Sequence, residues 1–346
     1  MDINIFKFND NERGGYYFND AVLPEEADLV LVSAPWSATS DFGQGASYAP
    51  DALLDASTHI GLYDVMTDMS LVGKVATAEI DYSIQELSQH LGGDVEKVLS
   101  HVEDGGSISG EYFARKVTRV NQGLQQMHAN VAKQVGEWLD QGRTVGVVGG
   151  DHSVSFGAVK AVSERYDGVG VLFLDAHCDL RGEKRIFKYS FDSVARNIVD
   201  ELPGVSRVVE VGVRDVCEEE LSYAANHEQI CLFLQERLMA ERFRGKTWAA
   251  QCSEIVAKLP QKVYVSLDID VLTIESCPNT KRPVPGGISF NEVASLLCAV
   301  VDSGREIVGF DLTEIVPKME ATPDATVGAR MLFKMCGAAL KSRMKR

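Results

Sequence analysis

The chain has 346 residues and a formal net charge of -16. That balance argues against nucleic acid or an anionic membrane surface as a partner and favours a small cationic molecule. The length suits one large α/β domain over residues 1–346 with a sizeable core, and no repeat, low-complexity tract or Pro-rich linker divides it.

Residues 1–10 are acidic and polar without the apolar centre of a signal peptide, and no run approaches a transmembrane span. The seven cysteines are scattered and never form a Cys-x-x-Cys pair, so free thiols in a reducing cytoplasm are expected.

In chain order, residues 27–35 read as the first strand. A Gly- and Ser-rich loop follows and runs into a helix start at Pro50 and Asp51. Residues 74–81 read as a second strand. Residues 82–117 are the least legible part, expected as an insertion or surface excursion with a turn at Glu103, Asp104, Gly105 and Gly106. Residues 118–141 carry a helical apolar stripe of Val120, Leu124, Met127, Val131, Val135, Trp138 and Leu139, which reads as core.

Beyond residue 144 strands and helices alternate. Strands are expected to Gly149 and at 169–174, 208–214, 263–268 and 307–312. Helices are expected near 154–166, 190–201, 232–259, 289–302 and 325–344. This alternation predicts a mainly parallel sheet covered on both faces.

Three strand ends carry the chemistry. Residues 171–179, Val-Leu-Phe-Leu-Asp-Ala-His-Cys-Asp, finish in Asp175, His177 and Asp179, which the two-residue period of an extended chain aims one way. Cys178 then points elsewhere and reads as a small buried apolar residue. Residues 263–270 repeat the design with Asp268 and Asp270, and a Gly-Gly turn after 144–149 presents Asp151 and His152. In parallel sheets, sites form outside the carboxyl ends of strands, so the three clusters can meet.

Converging carboxylates are costly to bury unless a cation compensates. Asp175, Asp179, Asp268 and Asp270 bring four negative charges, which two divalent ions balance, with His152 and His177 as neutral ligands. Shared carboxylates are then needed, the composition of a two-metal hydrolytic site. Phosphate-loop, nucleophile-elbow and dinucleotide fingerprints are absent. Ser153 beside His152 is a weaker candidate for a nucleophile and base, because adjacent residues rarely face one another.

Four motifs in order then resemble the ureohydrolase family of arginases, agmatinases and formimidoylglutamases, closest to its agmatinase-like members. They are Gly149 to Ser153 (Gly-Gly-Asp-His-Ser), Asp175 to Asp179, Ser266 to Asp270 (Ser-Leu-Asp-Ile-Asp), and Gly309 to Glu314 (Gly-Phe-Asp-Leu-Thr-Glu), with a weaker match over 42–57. The resemblance implies a three-layer α/β/α sandwich, a homo-oligomer of trimer or hexamer size, and two divalent ions, manganese in the family, bridged by a hydroxide. It assigns His152, Asp175, Asp179 and Asp268 to one ion and Asp175, His177, Asp268 and Asp270 to the other. Glu314 would pair with a guanidinium, and Asp179 would pass a proton to the leaving amine.

Agmatinase-like members carry Lys-Tyr-Ser-His where this chain has Lys188, Tyr189, Ser190 and Phe191, and an early Arg where it has Leu54. The missing histidine leaves three readings: an amidine hydrolase whose pocket Phe191 lines, a formimidoylglutamase-like enzyme whose Arg181 meets a substrate carboxylate, or a metal-binding but catalytically silent protein. Asp192 is a candidate substitute for the histidine.

Overall fold

The computed structural model describes residues 15–39, 45–182, 185–318 and 323–344. The reading of residues 1–10 and the beginning of the 42–57 match lie outside the described residues.

The chain enters through β1 (Leu29–Ala34) and turns into α1 (Ala49–Ser57), which has Pro50 at its start and Asp51 in its first turn. A small antiparallel pair, β2 (Tyr63–Asp64) and β3 (Met69–Ser70), precedes β4 (Val75–Thr77). Two long helices follow, α2 (Ser83–Glu103) and α3 (Glu111–Asp140). The alternating part runs β5 (Thr144–Gly149), α4 (Ser155–Arg165), β6 (Val169–Leu174), α5 (Val194–Glu201), β7 (Val205–Val211), α6 (Glu218–Ala225) and β8 (Ile230–Phe233). It continues with α7 (Gln235–Phe243), α8 (Trp248–Val256), β9 (Lys262–Asp268), α9 (Phe290–Asp302), β10 (Glu306–Thr313) and α10 (Pro323–Met344).

Eight strands form one sheet in the order β4-β1-β5-β10-β9-β6-β7-β8, and every neighbouring pair is parallel. Side-chain alternation divides the core into two layers. Leu29, Leu31, Val263, Val265 and Leu267 pack against α8, α9 and α10, while Val30, Val32 and Tyr264 pack against α2, α3 and α4 on the opposite face. The result is the expected α/β/α sandwich. Register aligns the central strands at their carboxyl ends: Leu312 pairs with both Val148 and Leu267, and Leu267 pairs with Leu174. The motif residues therefore leave the sheet at one level.

Local departures have physical reasons. Much of 82–117 is the helix α2, which buries Ile84, Leu91, Val95 and Val98 and packs on α3. The pair Gly92 and Gly93 breaks helical propensity in mid-helix, which hid the period. Packing on α3 overrides that cost. α3 itself begins at Glu111, ahead of the expected residue 118. The single helical region expected over 232–259 is instead the edge strand β8 and two helices separated near Gly245, and α6 was not foreseen. β8 is only four residues long, too short for period to distinguish it from a helix start.

Candidate metal centre

The four central strands each deliver one motif. The chain leaves β5 through Gly150, whose backbone approaches Trp36 so closely that a Cβ there would lie 1.7 Å from the Trp36 carbonyl oxygen. Only glycine fits. Asp151 then caps the next turn, accepting the Ser153 N–H at 3.1 Å, and sets His152 over the sheet end. After β9, Asp268 does the same for the Asp270 N–H at 2.8 Å.

Asp175, His177 and Asp179 converge, but not by strand alternation. β6 ends at Leu174, and the three sit on the loop beyond it, with Asp179 in the left-handed region at φ 48°. Hydrogen bonds hold that loop: Asp175 Oδ1 accepts the His177 N–H at 2.6 Å, Asp270 Oδ1 accepts the Ala176 N–H at 3.0 Å, and the Asp179 carbonyl accepts from Arg196 N–H at 3.2 Å. Glu314 is likewise left-handed, at φ 63°. Strain at two site residues is characteristic of a geometry imposed by its surroundings.

Two overlapping groups result, His152 with Asp175 and Asp179, and His177 with Asp175 and Asp270. His152 Nδ1 lies 3.0 Å from Asp175 Oδ2, 3.1 Å from Asp179 Oδ2 and 3.7 Å from Asp268 Oδ2. His177 Nδ1 lies 3.0 Å from Asp270 Oδ2 and 3.5 Å from Asp175 Oδ1. Asp175 thus offers one oxygen to each group, while Asp268 stands beside the first. All six side chains named from the sequence come together.

Several features show that the set fits cations. His152 Nδ1 and Asp175 Oδ2 are buried 3.0 Å apart, yet neither makes a hydrogen bond, as suits two groups that would share a cation. Burial pushes the Asp179 carboxyl up to about 7, helped by the charge of Asp175, and burial with Asp270 drives Asp268 well above the ordinary range. The imidazoles shift upward as well, because the neighbouring carboxylates favour their charged form. Burial opposes charging His177, but Asp175 and Asp270 carry it to about 11, and Asp175 and Asp179 similarly raise His152. The cluster recruits protons where a divalent ion would supply charge.

Behind the ligands, His152 Nε2 lies 2.9 Å from Ser266 Oγ, and Ser266 donates to Asp311 Oδ1 at 2.8 Å. Since the Ser266 hydroxyl proton points to Asp311, its oxygen accepts from His152 Nε2–H, which leaves Nδ1 with a free lone pair toward the carboxylates. The aspartate of the Gly-Phe-Asp-Leu-Thr-Glu motif therefore orients the His152 ring through Ser266. Cys178 is buried and its thiol is pushed up by burial, consistent with a packing role.

Glu314 Oε1 accepts the His152 backbone N–H at 2.9 Å, and Oε2 is buried without a hydrogen-bond partner. Burial raises its carboxyl to about 7, against the opposing charge of Lys281. Phe191 is buried in a short turn after Ser190. It lines a cavity of about 780 Å³ together with Arg181, Arg185, Asp192 and Arg282. None of the six ligand candidates lines that cavity, so Arg181 lies on the cavity wall apart from the cluster. Asp192 accepts a hydrogen bond from Ser190 at 2.5 Å.

One site residue escaped the sequence reading. Lys281 lies in the polar, proline-rich loop after Asp270, where a lysine ordinarily reads as a solvated cation. It is buried at 8 % exposure, with Nζ 2.7 Å from the Phe191 ring centroid.

Comparison with known proteins agrees with this geometry. The Arginase family model matches residues 27–337. The N(1)-aminopropylagmatine ureohydrolase of Thermococcus kodakarensis is 27% identical over 92% of this chain and 93% of its own length. The proclavaminate amidinohydrolase of Streptomyces clavuligerus is 32% identical over 91% of this chain and 90% of its own. Among solved structures, the agmatine ureohydrolase of Thermoplasma volcanium superposes with a TM-score of 0.69 at 21% identity, covering 95% of this chain and 96% of that one. By sequence, fold and the gathering of its motif residues, the chain belongs to the Arginase family, whose agmatinase-like members here are hydrolases of C–N bonds in linear amidines.

Proposed function

We propose that the chain is a binuclear-metal hydrolase that cleaves a guanidino compound and releases urea. The observation that carries this reading is the sharing of Asp175 between the His152 and His177 groups. Two divalent ions would be held by His152, Asp175, Asp179 and Asp268 and by Asp175, His177, Asp268 and Asp270. The oxygen-rich donor set with two imidazoles suits manganese. When bound, such ions lower the pKa of water enough to supply a nucleophile near neutral pH.

The protein's own groups do the rest. Glu314 presents its unpartnered Oε2 toward a reacting N–H and orients the carbon. Asp179, brought to the cluster by its left-handed backbone, would take up the proton released by the attacking water and pass it to the departing amine. Phe191 keeps water from one side of the pocket and replaces the resembled family's histidine without its proton chemistry. Assembly as a trimer or hexamer in the cytoplasm is part of the same reading.

The test is urea release by protein loaded with defined manganese, across arginine, agmatine and guanidino acids, with ammonia and formamide followed from formimidoylglutamate. Urea from a guanidino compound supports the reading. Products from formimidoylglutamate alone move it to the formimidoylglutamase class, and a metal-loaded protein inert toward the whole panel overturns it in favour of a silent metal-binding protein.

A further inference from the structure

Lys281 is held in place by its backbone. Thr280 bridges Ile315 across an antiparallel pair, and the Val316 N–H donates to the Asn279 carbonyl at 2.9 Å, which sets Lys281 beside the strand end that bears Glu314. Asp324 clamps the same turn, accepting the Asn279 N–H at 2.7 Å and its side-chain amide at 2.8 Å. Farther along, Arg214 donates to the Val284 carbonyl at 3.0 Å, and Leu272 bridges Ile288. A loop pinned at both ends does not swing its lysine away. The ammonium rests on Phe191, its charge acts on Glu314 and Asp151, and Arg282 follows with its guanidinium 4.9 Å from the same ring centroid.

We propose that Lys281 and Arg282 determine specificity, selecting a guanidino or amidino compound whose tail ends in a carboxylate and disfavouring guanidino-amines with a second positive charge. This rests on the hydrolase reading above. The charge of Lys281, held beside the strand end that bears Glu314, already acts on that carboxylate, so an incoming guanidinium gains less there, and a substrate of zero net charge enters more readily than a dication. Beyond Phe191 the cavity wall carries Arg282, Arg181 and Arg185. It also carries Asp192, Glu218 and Glu219, and the last of these accepts the Gly182 N–H at 3.1 Å and faces Arg196 at 3.5 Å. Lys281 and Arg282 both lie over Phe191 and the charge of Lys281 reaches Glu314, which places the acid-binding end next to the reacting end.

A matched series tests it: agmatine, butylguanidine and 4-guanidinobutyrate, which differ mainly in tail charge. Urea release and calorimetric binding are measured on manganese-loaded wild type, Lys281→Met, Lys281→Arg and Arg282→Gln, each checked by thermal melting. Wild type is expected to prefer 4-guanidinobutyrate over agmatine by roughly tenfold or more in kcat/KM. Lys281→Met should erase most of that preference by improving agmatine, Lys281→Arg should retain it, and Arg282→Gln should raise KM for 4-guanidinobutyrate alone. Urea release with no preference for the acid, or a preference indifferent to Lys281→Met, overturns the inference and leaves the hydrolase standing. Conversely, if no compound is hydrolysed but binding follows the same charge order and shifts with Lys281→Met, the hydrolase reading fails and the selectivity holds. A silent wild type that Lys281→Met opens to every tail equally would make Lys281 a plug and overturn the proposal.

Discussion

Ser266 Oγ stands 2.9 Å from His152 Nε2 and donates its own hydrogen bond to Asp311, so the hydroxyl fixes which imidazole nitrogen faces the carboxylates. Ser266→Ala leaves His152 free to adopt the other tautomer. Loss of such an orienting partner is expected to weaken metal binding by roughly tenfold to a hundredfold. Competition titration against a chelator measures this, and an unchanged affinity would remove Ser266 from the site.

Asp175 and Asp270 differ in reach. Asp175 faces both imidazoles, whereas Asp270 faces His177 alone among the ion-paired histidines. If the two groups each hold an ion as proposed, Asp175→Asn is expected to lose both and Asp270→Asn to retain the one beside His152. Metal content by mass spectrometry after gel filtration distinguishes them, and equal stoichiometry in the two variants would count against a shared carboxylate.

His128 on α3 is fully buried, with Nε2 2.9 Å from the Ser153 carbonyl, and burial pulls its pKa down to about 4. Its folded value lies below its unfolded one, so between the two the unfolded chain binds more protons. Stability is fully present above about 6.5 and declines as pH falls toward about 4, by about 3 kcal/mol from this group. Urea unfolding at pH 4.5 and 7.5 should show a smaller pH difference in His128→Gln than in wild type. An identical difference would place the acid sensitivity elsewhere.

Leu91 on α2 is buried against α3, where a Cβ on Gly123 would lie 2.2 Å from its Cδ1. Leu91→Ala leaves a cavity between two close helices and is expected to cost about 2–5 kcal/mol, while metal affinity stays at the wild-type value. Denaturant midpoints and the chelator titration together check both halves.

Much of the fold was legible because its cause is local. Strands buried on both faces read as apolar runs, as at 145–148 and 171–174, and the stripe from Val120 to Leu139 declares the long helix. Where local preference misled, at Gly92 and Gly93 or in the short β8, long-range packing or sheet pairing overrode it. The six ligand candidates were equally readable, since acidic and imidazole groups at the ends of apolar strands have few uses other than holding cations.

Tertiary structure alone decided how those groups meet and what surrounds them. Asp179 reaches the cluster through a left-handed backbone that period-two alternation does not anticipate, and Asp311 acts through a serine on a neighbouring strand. Lys281 is the clearest case. A lysine in a proline-rich loop carries no local sign of burial, and it comes to lie on Phe191 because Thr280 pairs with Ile315, thirty-five positions away in the chain. Composition and periodicity register what neighbours along the chain share, whereas the charge that meets a substrate depends on strand ends brought together only by folding.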